Sequence, residues 1–211
     1  MKEEKIRESE INKTESKSDT AEKKYRIGFG VTGSFCTFKR IIPVIKNLVD
    51  RGHIVYPILS PSAANTDTRF GKAADFKKTL EEITGNAPML DIGRVEPIGP
   101  KKMLDVLVVA PCTGNTLAKM ANGIADTSVT LAVKSHLRNN RPVVVAVSTN
   151  DGLGANAQNI GKLAARKHIY MVPFRQDDCI EKENSLVANF DMTEAAINSA
   201  MNGKQIEPLL I

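Results

Sequence analysis

An aliphatic run that leads into a small polar loop and then a helical pattern, at residues 104–126, constrains the fold of this chain more than any other stretch. The run at residues 104–109 consists mostly of large aliphatic side chains, which is typical of a strand buried on both faces of a parallel sheet. The loop at residues 110–116 reads Ala-Pro-Cys-Thr-Gly-Asn-Thr and leads into the helical pattern. Because such a loop presents free N–H groups at the carboxyl edge of a sheet, it predicts a site for an anionic cofactor.

Strand and helix patterns alternate along the rest of the chain, as they do in α/β domains. Strand patterns occur at residues 25–33, 53–59, 104–109, 142–148 and 169–173. Helix patterns occur at residues 35–52, 69–83, 117–124, 127–138, 156–167 and 191–201. This alternation predicts an α/β fold with a three-layer, doubly wound parallel sheet, a Rossmann-like arrangement with right-handed crossovers.

The first 24 residues differ in composition from the remainder of the chain. They contain seven Lys or Arg and seven Asp or Glu, and their only large aliphatic residues are Ile6 and Ile11. A segment with so little apolar surface cannot offset the entropy lost on ordering. Residues 1–24 are therefore predicted to be a disordered or loosely ordered charged tail, and residues 25–211 to form a single domain.

Composition excludes several classes of protein. No apolar run approaches the roughly 18 residues of a membrane-spanning helix. Three widely spaced cysteines make no disulfide framework and favour a cytoplasmic location. The sequence has neither Cys-x-x-Cys nor His-Glu-x-x-His, so no protein-built metal site is expected. The net charge of +5 arises from scattered basic residues, which argues against a nucleic-acid partner.

A literal dinucleotide fingerprint, Gly28-x-Gly30-x-x-Gly33, lies near the start of the domain. The fingerprint requires its first glycine at the end of a strand, whereas Gly28 and Gly30 fall inside the strand pattern. The second strand pattern ends at Ser60 and supplies no acidic residue for a ribose hydroxyl. These departures disfavour NAD(P) in this domain, although an NADP site built on Ser60 and Arg69 stays open.

Three short hydroxyl-rich loops are predicted at the carboxyl ends of strands. They are residues 32–34 (Thr-Gly-Ser), 60–62 (Ser-Pro-Ser) and 111–116 (Pro-Cys-Thr-Gly-Asn-Thr). A single phosphate needs hydroxyl and backbone N–H donors at helix N-termini, and all three loops provide them. Each loop alone is also an ordinary helix cap. Together, in one sheet, they favour a mononucleotide site.

Two motifs resemble the flavin-dependent cysteine decarboxylase family. Residues 31–39, Val-Thr-Gly-Ser-Phe-Cys-Thr-Phe-Lys, resemble its opening motif, and residues 110–126 are similar to its PASANT motif with the following helix. The resemblance implies a flavoprotein fold and FMN, with the phosphate at the Gly33-Ser34 turn and Asn115 as the functional asparagine. The cofactor-binding residues that it implies are Thr32, Gly33, Ser34, Phe35, Ser60, Pro111, Thr113, Gly114, Asn115, Thr116 and Ser148.

Two features of the decarboxylases are missing. Their histidine lies about eight residues before the aspartate of the focal strand, and Pro97 occupies that place here. Their Pro-x-Met-Asn motif reads Val-Ser-Thr-Asn at residues 147–150, which retains Asn150 but not the methionine. An FMN-dependent decarboxylase of a cysteine-containing substrate is therefore kept only as an alternative.

The chain resembles another branch of this superfamily, the dipicolinate synthase B subunits, more closely than it resembles the decarboxylases. The shared segments are residues 28–37, 110–116 and 148–154. The resemblance implies an oxidoreductase that works with the A subunit of dipicolinate synthase, which carries the NAD(P)-type fold. The pair would form dipicolinate from dihydrodipicolinate or its hydrated precursor during sporulation. The resemblance also implies a location in the cytoplasm of the mother cell and, by analogy, a homo-oligomeric state. The other alternative function is a non-redox subunit that binds substrate or acts as a scaffold.

Three residues are candidates for chemistry. Asn115 and Asn150 can each donate and accept hydrogen bonds, which suits a flavin edge or a substrate carboxylate. Cys112 is either a nucleophile at a helix N-terminus or a small residue that fits a tight loop. Lys39 and Arg40 follow the turn after the first strand by about one helical turn and are candidates to attract an anion, with a solvated helix face as the alternative. A dianionic substrate also implies one Lys or Arg in the crevice, and the sequence does not identify which. The three histidines are expected at surface or capping positions.

Overall fold

The structure, a computed structural model, describes residues 23–211. The predicted tail at residues 1–24 lies outside the described residues except for Lys23 and Lys24, which are exposed and have no regular structure. Every element described below belongs to the predicted domain.

Seven strands form one sheet in the described part of the chain, in the order β2-β1-β3-β4-β7-β6, with β5 also paired to β4. The strands are β1 Arg26–Val31, β2 Ile54–Leu59, β3 Val106–Cys112, β4 Val143–Thr149, β5 Ile169–Met171, β6 Phe174–Asp178 and β7 Lys182–Ala188. The first five are parallel and follow the order 2-1-3-4-5. They correspond to the five predicted strands, and this is the flavodoxin-like order of doubly wound sheets.

Helices cover both faces of this sheet. They are α1 Phe38–Asp50, α2 Pro61–Asn65, α3 Ala73–Thr84, α4 Ile92–Val95, α5 Gly114–Ala121, α6 Ser128–Leu137, α7 Ala157–Ala164 and α8 Thr193–Met201. α1 and α8 pack against each other and the sheet, whereas α5 contacts α6 and α7. The predicted three-layer α/β fold is confirmed.

The order of the strands determines where a ligand can bind. β1 lies between β2 and β3, so the chain leaves β1 on one side and later returns to its other side. A crevice opens at such a reversal because the connections after the two central strands turn away from each other. The carboxyl ends of β1 and β3, where the first and third predicted loops begin, therefore border this crevice.

β3 extends beyond its predicted end. The sequence pattern places the end of the strand before Ala110-Pro111, but pairing with β4 continues to Cys112. The register between the strands shifts between Val109 and Cys112, and this bulge accommodates a proline that has no N–H to donate. The carbonyl of Pro111 accepts a hydrogen bond from the Thr32 N–H, which joins β3 to the end of β1.

Gly28 and Gly30 are packing residues within β1. A β-carbon on Gly28 would lie 2.4 Å from Cδ1 of Leu104 and 2.7 Å from Cδ1 of Leu107. One on Gly30 would lie 3.1 Å from Cγ1 of Val129. The first two glycines of the apparent fingerprint are thus explained by the close packing of aliphatic side chains against β1.

An antiparallel hairpin, β6 and β7, was not predicted. β7 pairs with Ser148 and Thr149 at the end of β4, beyond the three residues that pair with β5. β6 and the first half of β7 are mostly exposed and polar, so they lack the aliphatic alternation of the other strands. The hairpin extends the sheet next to the crevice and forms one of its walls.

Candidate functional site

A cleft of about 750 Å³ opens at the carboxyl ends of β1, β3 and β4. The connections after these strands form one side and the β6–β7 hairpin forms another. Its lining residues are Gly33, Ser34, Phe35, Cys36, Thr37, Arg40, Phe70, Thr113, Gly114, Asn115, Ser148, Thr149, Asn150, Asp151, Asn156, Asp177, Lys182, Ser185, Leu186 and Val187.

The loops after β1 and β3 are joined by Thr32. Its hydroxyl donates to the Pro111 carbonyl at 2.7 Å and accepts a hydrogen bond from the Thr113 N–H at 2.9 Å. Thr32 is 1% exposed, so these bonds form away from solvent. Thr32 therefore positions the two loops, while Gly33 and Ser34 beside it line the cleft.

Ser34 joins the turn after β1 to the end of β4. Its hydroxyl oxygen lies 2.9 Å from that of Ser148, and either group can donate. Ser34 also precedes the 3-10 turn Phe35–Thr37, but its side chain does not cap that turn. The two hydroxyls consequently lie together on the cleft wall.

The N-terminus of α5 also faces the cleft. Thr113 is its capping residue but its side chain makes no capping hydrogen bond; its hydroxyl instead donates to Oγ1 of Thr116 at 3.3 Å. The first N–H groups of a helix have no partner within the helix. Gly114 and Asn115, the first two residues of α5, both line the cleft, and Asn115 is exposed.

A polar cluster after β4 supports the same wall. The Asp151 carboxylate accepts hydrogen bonds from the Thr149 hydroxyl and from Nδ2 of Asn156, the latter at 2.8 and 2.9 Å. Oδ1 of Asn156 in turn accepts a hydrogen bond from Nδ2 of Asn159 at 2.9 Å. Sequence reasoning did not identify Asp151 or Asn156 as site residues, although both lie in or beside the 148–154 segment that carried the resemblance.

Among the described residues, four charged side chains line the cleft. Nζ of Lys182 lies 2.6 Å from Oδ2 of Asp177, and both residues belong to the hairpin. The hydrogen bond with Asp177 raises the pKa of Lys182 above its usual value. Arg40 and Asp151 are the other two, one from α1 and one from the loop after β4. Of the two candidate cations, Arg40 therefore lies in the crevice, whereas Lys39 does not line it.

Eight of the predicted residues are brought together in the cleft. They are Gly33, Ser34, Phe35, Thr113, Gly114, Asn115, Ser148 and Asn150. The cofactor and catalytic roles assigned to them remain predictions, but one ligand could touch residues from all three connections.

The remaining predicted residues do not line the cleft. Besides Thr32, these are Pro111, Thr116, Ser60 and Cys112, all of them buried. Ser60 caps α2, since its hydroxyl accepts a hydrogen bond from the Ala63 N–H at 3.3 Å. Complete burial raises the pKa of the Cys112 thiol well above its usual range. Such a thiol is protonated at neutral pH, so the structure disfavours Cys112 as a nucleophile and favours its alternative interpretation as a small packing residue.

The histidines correct another expectation. His136 is 1% exposed and His53 is 8% exposed, so neither is a surface residue. A ring nitrogen of His136 lies 3.1 Å from the Pro142 carbonyl oxygen. Burial lowers the pKa of His136 to about 4.

The polar wall fits the phosphate of a mononucleotide. A β-carbon on Gly33 would lie 2.8 Å from Oγ of Ser62, and one on Gly114 would lie 2.4 Å from Nδ2 of Asn156. Two glycines thus let the backbone approach neighbouring polar groups closely, next to the uncapped start of α5. Neutral hydroxyl and N–H donors in this arrangement suit a single anionic group.

Within residues 23–211, no three His, Cys, Asp or Glu residues are grouped so that they could hold a metal ion. None of the helices in this part of the chain has the length and apolar character required to cross a membrane.

Comparison with known proteins gives consistent matches. The model of the Flavoprotein family matches residues 15–201. The chain is 44% identical to the dipicolinate synthase B subunit of Bacillus subtilis over 186 residues, which are 88% of this chain and 93% of that protein.

Solved structures agree with the sequence matches. The crystal structure of the dipicolinate synthase B subunit from Bacillus halodurans has a TM-score of 0.82 and 42% identity, and the match covers 89% of this chain and 96% of that one. The FMN-dependent cysteine decarboxylase SpaF has a TM-score of 0.59 and 23% identity over 84% of this chain and 95% of its own. At that identity the second match shows the fold alone.

Proposed function

The chain belongs to the Flavoprotein family and, within it, to the dipicolinate synthase B subunits, and on this basis we propose that it takes part in making dipicolinate. In this proposal it is an oxidoreductase component that works with the separate A subunit of dipicolinate synthase during sporulation. The substrate is dihydrodipicolinate or its hydrated precursor. The proposed location is the cytoplasm of the mother cell, and the chain is expected to form a homo-oligomer.

The observation that carries the proposal is the convergence of three segments. Residues 28–37, 110–116 and 148–154, which support the resemblance to dipicolinate synthase B subunits, all contribute residues to one cleft. Each segment contributes a residue to the cleft lining: Ser34, Asn115 and Asn150, in that order. A site shared by all three segments is expected if their similarity reflects a common ligand.

FMN is the proposed cofactor. The Gly33-Ser34 turn, Ser148 and the start of α5 would hold its phosphate through neutral donors. Thr113, Gly114 and Asn115 supply the donors of that helix end. When bound, FMN supplies a two-electron acceptor. NAD(P) is assigned to the A subunit in this proposal, because the glycines of the apparent fingerprint serve packing here.

The chain itself would bind and orient the substrate. Dihydrodipicolinate becomes aromatic by losing two hydrogen atoms, that is, two electrons and two protons. Asn115 and Asn150 are exposed within the cleft and can donate hydrogen bonds to a carboxylate. We assign them to substrate or flavin contact, and we assign no covalent role to Cys112.

The decarboxylase alternative gains no support from the site. No histidine lies among the described residues that line the cleft. Pro97, which occupies the place of the decarboxylase histidine, lies in the 3-10 turn Glu96–Ile98 and does not line it either. The general acid or base that a histidine would provide is therefore missing from this wall.

A reconstitution assay with the A subunit tests the proposed function. Dihydrodipicolinate is generated in the assay, and the absorbance of the pyridine ring of the product is followed with each protein separately and with the two together. We expect full rate only when the two proteins are mixed. If the A subunit reaches the full rate without this chain, the proposal fails.

The non-redox alternative predicts a different result in the same assay. A binding or scaffolding subunit would restore the rate whether or not it carries flavin. Comparing the chain before and after FMN removal therefore separates the two interpretations. Dependence of the rate on bound FMN supports the oxidoreductase role.

A further inference from the structure

Arg40 brings to the cleft a positive charge that has no counter-ion in the described chain. Within residues 23–211, none of the ion pairs includes Arg40. The other cleft cation, Lys182, is paired with Asp177 at 2.6 Å. Asp151 is satisfied by Thr149 and Asn156. Among these four side chains, Arg40 alone has no ionic or hydrogen-bonded partner in the described residues, and it is exposed and so accessible to a ligand.

The guanidinium of Arg40 is held in place by an aromatic ring. Its Cζ lies 4.8 Å from the ring centroid of Phe190. Phe190 is 1% exposed, so the core fixes the ring on which the guanidinium rests. A planar guanidinium held in this way loses little entropy when it forms a two-pronged hydrogen bond to a carboxylate.

We propose that Arg40 binds one carboxylate of the substrate and makes the cleft selective for dicarboxylates, an inference that rests on the proposed function. The phosphate of FMN has neutral donors at the Gly33-Ser34 turn and at α5. Arg40 lies on α1, several residues beyond that turn, and is left for a second anion. A ring with two carboxylates brings an anionic partner for Arg40, since Asp177 is paired with Lys182 and Asp151 is hydrogen-bonded to Thr149 and Asn156.

Direct binding of pyridine-2,6-dicarboxylate to the purified full-length chain tests the assignment. Calorimetry compares this dianion with pyridine-2,6-dicarboxamide, which has nearly the same shape but no charge. In Arg40→Gln the affinity for the dicarboxylate should fall by about tenfold or more, which is typical of losing a hydrogen bond between charged groups. Binding of the dicarboxamide should be unchanged, and Arg40→Lys should lie between the wild type and Arg40→Gln.

Lys39→Gln is the matched control. Lys39 precedes Arg40 on α1 and carries the same charge, but it lines a separate, smaller groove near Phe76. We expect this variant to bind the dicarboxylate like the wild type. Equal losses in Lys39→Gln and Arg40→Gln would overturn the proposal, because they would indicate only a general effect of charge.

Other outcomes also contradict the assignment. Unchanged dicarboxylate binding in Arg40→Gln would overturn it, and so would an absence of binding to the wild type. If Arg40→Gln no longer bound FMN but still bound the dicarboxylate, Arg40 would be assigned to the FMN phosphate instead. The A subunit is not in this assay, so a failure here leaves the shared role of the two proteins to be judged by the reconstitution assay.

Discussion

Gly114 marks the closest approach between the loops of the cleft. A β-carbon here would lie 2.4 Å from Nδ2 of Asn156, 2.6 Å from Oγ1 of Thr149 and 2.8 Å from Oδ1 of Asp151. Thr149 and Asn156 both donate hydrogen bonds to Asp151, so displacing any of the three side chains would disturb this cluster. The absence of a side chain at this residue is what allows α5 to start against the loop after β4.

Gly114→Ala should therefore destabilise the protein and weaken FMN binding. Overpacking of this kind costs about 1–3 kcal/mol, to be measured as the free energy of unfolding in urea. Gly161→Ala is the matched control, because a β-carbon on Gly161 in α7 meets nothing within 4 Å. Alanine is the better helix former, so the control should be at least as stable as the wild type. Equal stability of the two variants would contradict the geometry described for Gly114.

His136 makes folding sensitive to mild acid. Burial is the main cause of its low pKa, which is about 4 against an ordinary value of 6.5. Below pH 6.5 the unfolded chain takes up a proton at this ring and the folded chain does not. Stability should thus fall as the pH is lowered from 6.5 toward 4.

The predicted size of this effect is measurable by urea unfolding at pH 7 and pH 5. The shift corresponds to about 2 kcal/mol less stability at pH 5 from His136 alone. His136→Gln should remove most of that difference. Burial tends to raise the pKa of Asp105, but its hydrogen bonds with Arg26 keep it below 3.8, so this carboxylate stays ionised over the range. An unchanged pH dependence in His136→Gln would refute the assignment.

The β6–β7 hairpin extends the sheet and forms one wall of the cleft. The buried half of the hairpin packs against the loop after β4. A β-carbon on Gly152 in that loop would lie only 2.6 Å from Cγ of Leu186. The exposed half carries Asp177 and Lys182 into the cleft lining. The hairpin therefore combines a structural anchor with the charged part of the site.

Leu186→Ala tests this anchor. Leu186 is 7% exposed, and truncation of a buried leucine costs about 2–5 kcal/mol. Ile180→Ala, at the hairpin tip, is the control because Ile180 is 78% exposed. We expect urea unfolding to show a large loss for the first variant and a change within about 0.5 kcal/mol for the second. Comparable losses would indicate that the hairpin is not anchored through Leu186.

The aliphatic strands made the overall fold predictable from the sequence. The buried runs in β3 and β4 are long enough to require a sheet covered on both sides, and their alternation with helices determined the fold class. The proximity of the loops after β1 and β3 was then predictable, because parallel strands bring their carboxyl ends to one edge of the sheet. This part of the site was predictable, and Ser34 and Asn115 do lie in one cleft.

The remainder depended on contacts between distant segments. Nothing in the composition of residues 174–188 distinguishes a hairpin from a polar loop, because its pairing with β4 is a tertiary interaction. Thr32 and Ser60 matched the expected donor chemistry, but their hydroxyls are used within the protein, Thr32 in a bond to the distant Pro111 and Ser60 in a cap at Ala63. The burial of Cys112 was not predictable either, because it results from the pairing of β3 with β4 beyond Pro111.

Flavin binding by the cleft can be measured directly. The purified chain is incubated with FMN, passed through a gel-filtration column, and its visible spectrum is recorded. We predict flavin absorbance at about 450 nm in the protein fraction, with about one FMN per chain. A colourless protein fraction, with all FMN eluting as the free cofactor, would contradict the assignment of the three converging loops to a flavin site.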